Sequence, residues 1–239
     1  MSSFGADLEQ DLVRHVRNSF GATLDSITLY GSYVSGPWKA GRSDINVLIL
    51  LTETAPERIR QFGADSTRFL RRYRITPLIL TAREFSISSD VFPMEYADIL
   101  AAHRTLAGAD PTETLDLQPR NLRHQLEHQL RGNLVALRQL NLANRRRSSA
   151  LRRELVQWFS PLAAVFRGLL RLAGETEVPK DAATVIQHVA RHYEIDGTSF
   201  LALSNARESF TEDPFDLCDA LDRELSLLAQ KVDALRGDR

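Results

Sequence analysis

Four residues within one short stretch have the types and spacing for chemistry on phosphates. Gly31-Ser32 ends one apolar run, and Ser43-Asp44-Ile45-Asn46 opens the next. A glycine lets the backbone approach an anion closely, and successive N–H groups can form an anion-binding concavity. The Ser32 hydroxyl adds a donor. Residues at i and i+2 on a strand point to the same face, so Asp44 and Asn46 share one. Two carboxylates in that arrangement can share magnesium ions about 3.5–4 Å apart, which clamp the attacking and leaving oxygens of a phosphoryl transfer. Here the second position is an amide. Asn46 offers a neutral carbonyl oxygen where magnesium prefers an anionic one. Trp38 lies in the Gly- and Pro-containing loop between the two runs. It can stack on a base or pin the loop to the core.

The order strand, Gly-Ser, loop, Ser-Asp, apolar strand follows a first helix, and Asp44 is the twelfth residue after Ser32. This layout resembles the polymerase-β-like nucleotidyltransferase superfamily, with the two-domain plan of aminoglycoside-type nucleotidyltransferases. The resemblance implies that Gly31, Ser32, Ser43 and Trp38 bind a nucleotide. It implies that Asp44 is catalytic and that Asp44 and Asn46 hold the metal positions for Mg2+, with an NTP such as ATP as substrate or ligand. It also implies a third carboxylate on a later strand. The matching segment, residues 74–81 (RITPLILT), contains no acid. Glu84 and Asp90 are the nearest acids after it. The first reading is therefore an enzyme moving a nucleoside monophosphate from an NTP to a hydroxyl of a small molecule, nucleic acid or protein, its activity impaired at Asn46. The second is a catalytically inactive pseudoenzyme that binds a nucleotide or a partner.

These residues need a scaffold, and the N-terminal half supplies alternating element types. Leu8, Leu12, Val13, Val16 and Phe20 recur at helical spacing over residues 7–20. Strands are predicted over residues 24–30 and 45–51, the latter apolar enough to be buried on both faces. A helix follows Pro56 and runs to about Tyr73. Residues 75–81 form a third strand, placed at an edge by Pro77. A helix over residues 92–101, with Asp90 as its cap, and a last strand over residues 103–106 complete this half. Beyond Pro119 the periodicity is helical throughout. Two helices within residues 120–173 meet at a turn around Arg145–Ser149, and further helices cover 181–193, 198–210 and 214–235. The fold class is α+β, an N-terminal nucleotidyltransferase-like mixed sheet with flanking helices followed by a C-terminal all-α helical bundle. The domains are expected at residues 1–112 and 119–239.

A chain of 239 residues with 43% apolar and 26% charged residues can build a real core. It has no run of the roughly 20 apolar residues that crosses a membrane, and its N-terminal segment lacks the features of a signal peptide. Cys218 is the single cysteine, which rules out an intramolecular disulfide and suits the cytoplasm. The formal charge of −1 hides a division. Residues 120–171 hold eleven Arg, no Lys and two acids, a net of +9, whereas residues 172–239 sum to −7. Either the two segments neutralise each other across packed helices, or the basic segment faces phosphates of a nucleotide or an RNA. In the second case Arg131, Arg138, Arg152 and Arg153 are the contributors. Glu95 and Asp98, spaced i and i+3, share a helix face. They read as a solvated pair or as a site for a cationic substrate.

Overall fold

In a computed structural model the chain divides into two compact units, residues 1–117 and 118–239. The structure describes residues 3–36, 38, 43–113, 115–179, 181–204 and 210–235, with side chains from residue 7 onward.

The first unit runs α1 (Ser3–Phe20), β1 (Leu24–Tyr30), α2 (Ser32–Ser35), β2 (Ile45–Leu51), α3 (Pro56–Tyr73), β3 (Ile75–Thr81), α4 (Ala82–Ile87), α5 (Pro93–Ala101) and β4 (His103–Ala107). The sheet order is β3-β2-β1-β4, with β2 and β3 parallel and the other pairs antiparallel. Strand alternation assigns each residue a face. Ile27, Leu29, Ile45, Val47, Ile49 and Leu51 pack on Leu8, Leu12, Val16 and Phe20 of α1 and Phe62 of α3. Leu48 and Leu50 pack on the opposite side with Phe85, Tyr96 and Ile99 from α4 and α5. This is why β2 is nearly all apolar: both of its faces are covered. Pro77 sits on edge strand β3, where a missing N–H is tolerated.

Three short features were not anticipated. α2 occupies what reads as loop. α4 exists because Thr81 accepts from the Glu84 backbone N–H while the Glu84 carboxylate accepts from the Thr81 N–H, a reciprocal capping box. Asp90 does not cap α5: Phe92 takes that position without a side-chain bond, and Pro93 fills the first turn. Gly108, at φ 80°, ends β4 against β1, and a β-carbon there would lie 2.1 Å from the Asp25 carbonyl oxygen.

The second unit contains α6 (Pro119–Asn144), α7 (Ser148–Phe159), α8 (Leu162–Leu172), α9 (Ala182–His192), α10 (Thr198–Ser204) and α11 (Pro214–Ala234). The apolar period over residues 151–169 predicts one helix, yet the chain breaks at Ser160-Pro161. A proline inside a helix removes a hydrogen bond and clashes with the preceding turn, so the periodicity passes through two helices. Of the helix expected to reach residue 210, residues 205–209 lie outside the described residues and Phe210 is not helical. No strand follows residue 110 among the described residues, and no described helix is long and apolar enough to cross a membrane.

The charge division has a structural use. Glu127 of α6 accepts from Arg123 at 3.0 Å and Arg131 at 2.9 Å, and Arg131 reaches Asp233 of α11. Arg138 forks onto both oxygens of Asp222 at 2.7 and 3.0 Å, which draws the Asp222 carboxyl below its ordinary range. Arg152 donates to the carbonyls of Phe210 and Glu212 and lies over the Phe210 ring. The basic and acidic segments thus meet through Arg131–Asp233 and Arg138–Asp222 inside this unit. Arg131, Arg138 and Arg152 are engaged there, while Arg153 is exposed.

Replacing Gly108 by Ala forces a β-carbon into backbone atoms at a positive φ. We expect a loss of about 3 kcal/mol, read as a lower urea midpoint with an unchanged slope.

Candidate functional site

The parallel pairing of β2 and β3 builds one side of the site. Its register sets Ile45 opposite Ile75 and Asn46 opposite Thr76. Asp44 and Arg74 each precede their strand by one residue and so lie side by side. The Arg74 Nε and Nη2 both reach Asp44 Oδ1 at 2.8 Å. The Arg74 carbonyl also accepts from the Ile45 N–H at 2.9 Å. Arg74 is the single residue between α3 and β3. It caps the helix in the left-handed conformation, at φ 55° and ψ 43°, with its N–H directed to the carbonyls of Leu70 and Arg71.

The other side comes from the end of β1. Tyr30 pairs with Asn46 across the antiparallel ladder. Gly31 then turns the chain at φ 75°, and its N–H donates to the Ala102 carbonyl at 2.9 Å. The Gly31 carbonyl accepts from Val34 and Ser35, and that of Ser32 accepts from Gly36, which closes the short α2. A β-carbon at position 31 would stand 3.2 Å from Asn46 Nδ2. The Gly-Ser turn and the Asn46 amide are therefore direct neighbours. This turn favours glycine twice, for its dihedral and for the room it leaves Asn46.

An ion pair with a buried carboxylate anchors the turn from behind. Arg104 of β4 donates to both oxygens of Glu9 in α1, at 2.9 and 2.6 Å, and the Tyr33 hydroxyl of α2 donates to the same carboxylate at 3.2 Å. Glu9 is 8% exposed. Its hydrogen bonds raise the Arg104 guanidinium further. Burial, followed by the Glu9 charge, pushes the Tyr33 phenol up to about 12. Neither Glu9 nor Arg104 carries a sequence motif, so reading along the chain missed both.

Trp38 donates its indole N–H to the Ser43 carbonyl at 3.0 Å and packs edge-on to Tyr33, 5.2 Å between centroids. These are the contacts of a residue that pins the loop. The structure thus brings together Gly31 with Asn46, and Trp38 with Ser43 beside the exposed Asp44.

The expected third acid does not arrive from the β3 side. Thr76 faces Asn46, and Glu84 is engaged in the α4 capping box, where the Thr81 backbone N–H lowers its carboxyl. It also lies beyond the far end of β3, about 16 Å along the strand from Thr76. Acids approach from α5 instead. Burial raises the Tyr30 phenol, and the charges of Asp98 and Glu95 raise it further. Glu95 is exposed and Asp98 half-buried, as a solvated pair would be, and their charges are felt at the residue beside Gly31.

The chemistry of the donor set decides whether magnesium fits. Asp44 shares one oxygen with a guanidinium, Asn46 is neutral, and no group of three or more His, Cys, Asp or Glu among the described residues is placed to hold a metal ion. Magnesium demands near-octahedral, hard and preferably anionic oxygen. The residues present do not fit it.

Replacing Glu9 by Gln removes the charge that opposes Tyr33 ionisation. The Tyr33 pKa should then fall from about 12 towards 10, measured as a lower-pH tyrosinate absorbance step in the variant-minus-parent titration.

No protein-family model and no curated protein sequence matches the chain. Among solved structures it is similar to spectinomycin adenyltransferase AAD(9) from Enterococcus faecialis, determined with ATP and spectinomycin. The two chains are 12% identical, the match covers 92% of this chain and 99% of that one, and the TM-score is 0.56. At that identity the likeness is one of architecture, and it gives this chain the α+β nucleotidyltransferase fold with a helical C-terminal half.

Proposed function

We propose that the N-terminal unit binds a nucleoside triphosphate at the Gly31-Ser32 turn, and that nucleotidyl transfer at this site is impaired or lost. The binding half rests on the turn itself. Gly31 leaves the backbone open, Ser32 supplies a hydroxyl, and the Asn46 amide stands directly beside them. The likeness to a structure holding ATP supports ATP as the first nucleotide to try.

The catalytic half rests on one observation, the Arg74–Asp44 pair. Nucleotidyl transfer forms a bond from an acceptor hydroxyl oxygen to the α-phosphorus, breaks the bond to the β-phosphate oxygen and releases pyrophosphate. Its catalysis is mostly positioning and charge neutralisation. With Asp44 occupied, Asn46 uncharged and Thr76 in the neighbouring strand, the described residues lack the anionic cage that would gather metal ions for that task. The acceptor, if transfer survives, is a hydroxyl compound. The Glu95 and Asp98 charges beside Tyr30 favour one that carries positive charge. That charge preference favours a small cationic acceptor over nucleic acid, which is an anion.

Calorimetry with ATP, GTP, CTP and UTP in magnesium buffer should show saturable binding of at least one nucleotide. Ser32→Ala should weaken it about fivefold, the worth of one hydrogen bond. Pyrophosphate release by the wild type should be slow, and Asn46→Asp should raise it if an ancestral site is being repaired. No binding of any nucleotide would overturn the proposal.

A further inference from the structure

We infer that the Arg74 guanidinium takes the place of the divalent cation at this site, so that nucleoside triphosphate binds there without metal. The inference rests on the proposed nucleotide site and assigns it a cation of its own.

Three observations carry it. The first is placement. The β2–β3 register and the one-residue link from α3 to β3 fix Arg74 beside Asp44, and both of its near nitrogens meet one carboxylate oxygen. A guanidinium has five N–H donors in a planar fork. Two face Asp44, and the remainder are free in geometry to meet phosphate oxygens, the anion that fork matches best. The second is backbone conformation. Arg74 adopts φ 55° at a helix C-terminus, where glycine is the usual occupant. Of the described residues other than glycine, only Glu194 shares a positive φ. A long cationic side chain at such a position costs the fold something and gains it little, because the ion pair with Asp44 is half exposed on both sides and such pairs contribute little stability. The third is Asn46. A carboxylate at this position would repel a triphosphate unless a metal lay between them. An amide instead offers N–H donors directly, and Nδ2 stands next to the Gly31 turn. Arg74 and Asn46 together replace a metal and its second carboxylate by one fixed cation and one neutral donor.

The test is ATP affinity in excess EDTA and in excess MgCl2, for the wild type, Arg74→Gly and Arg74→Lys. We expect the wild type to bind in EDTA within about threefold of its affinity in magnesium. Arg74→Gly places the preferred residue at a left-handed cap, so its thermal midpoint should hold or rise while affinity in EDTA falls about tenfold or more. Arg74→Lys, which keeps the charge but loses the fork, should fall between them. Wild-type binding seen only with magnesium overturns this inference and leaves the nucleotide site standing. So does EDTA binding that Arg74→Gly leaves unchanged. Absence of binding in both buffers overturns the site and the inference together.

Discussion

The parallel register of β2 and β3 is the constraint on which the site depends. Ile45 is held opposite Ile75, so the residues before them meet, and the residues after them meet in turn. Asp44 therefore has Arg74 for a neighbour and Asn46 has Thr76. The register fixes these residues as backbone neighbours, and a one-residue slip would send every side chain of β2 to the opposite face. Both faces of β2 are buried, under α1 and α3 on one side and α4 and α5 on the other. The hydrophobic core thus enforces an electrostatic arrangement at the strand ends that the exposed ion pair could not enforce alone.

The opposite wall of the site is held by different physics. Glu9, Arg104 and Tyr33 tie α1, β4 and α2 together through charge-assisted bonds to one nearly buried carboxylate. Such a pair carries a desolvation cost, and its use is to specify geometry rather than to add stability. What it specifies is the position of α2, and through α2 the turn at Gly31. The two ion pairs have opposite characters for opposite tasks. Glu9–Arg104 is buried at its carboxylate end and fixes a scaffold. Asp44–Arg74 is open to solvent, so an anion that competes for the guanidinium displaces little.

Much of this was legible in the sequence. The strands over residues 24–30, 45–51 and 75–81 follow from β-branched and apolar runs with clear stops, and the Gly31-to-Asn46 spacing picked out the residues of the proposed site. The failures have physical causes. Arg74 is 30 residues from Asp44, and nothing local marks it. Its role appears only when strand register is known. Glu84 was read as a spare acid although Thr81 stands three residues before it in a capping-box pattern. The apolar period carried a single helix through Ser160-Pro161 because buried leucines kept their phase on both sides of the break. The sequence left the arginine-rich segment open between helix-to-helix neutralisation and a phosphate wall, and the α6–α11 pairs speak for the first at Arg131 and Arg138.

The account turns on whether Asp44 recruits a cation or orients one already in the chain, and a single substitution gives the two cases opposite signs. Asp44→Asn, measured for ATP affinity in excess MgCl2 as well as in excess EDTA, removes a carboxylate while keeping its shape. If Arg74 supplies the positive charge, the guanidinium is released from its partner and a repulsive charge is lost, so ATP should bind more tightly than to the wild type. If Asp44 instead serves as a metal ligand, the substitution relieves the same repulsion in EDTA but should weaken or abolish the binding seen in excess magnesium. That result would contradict the account.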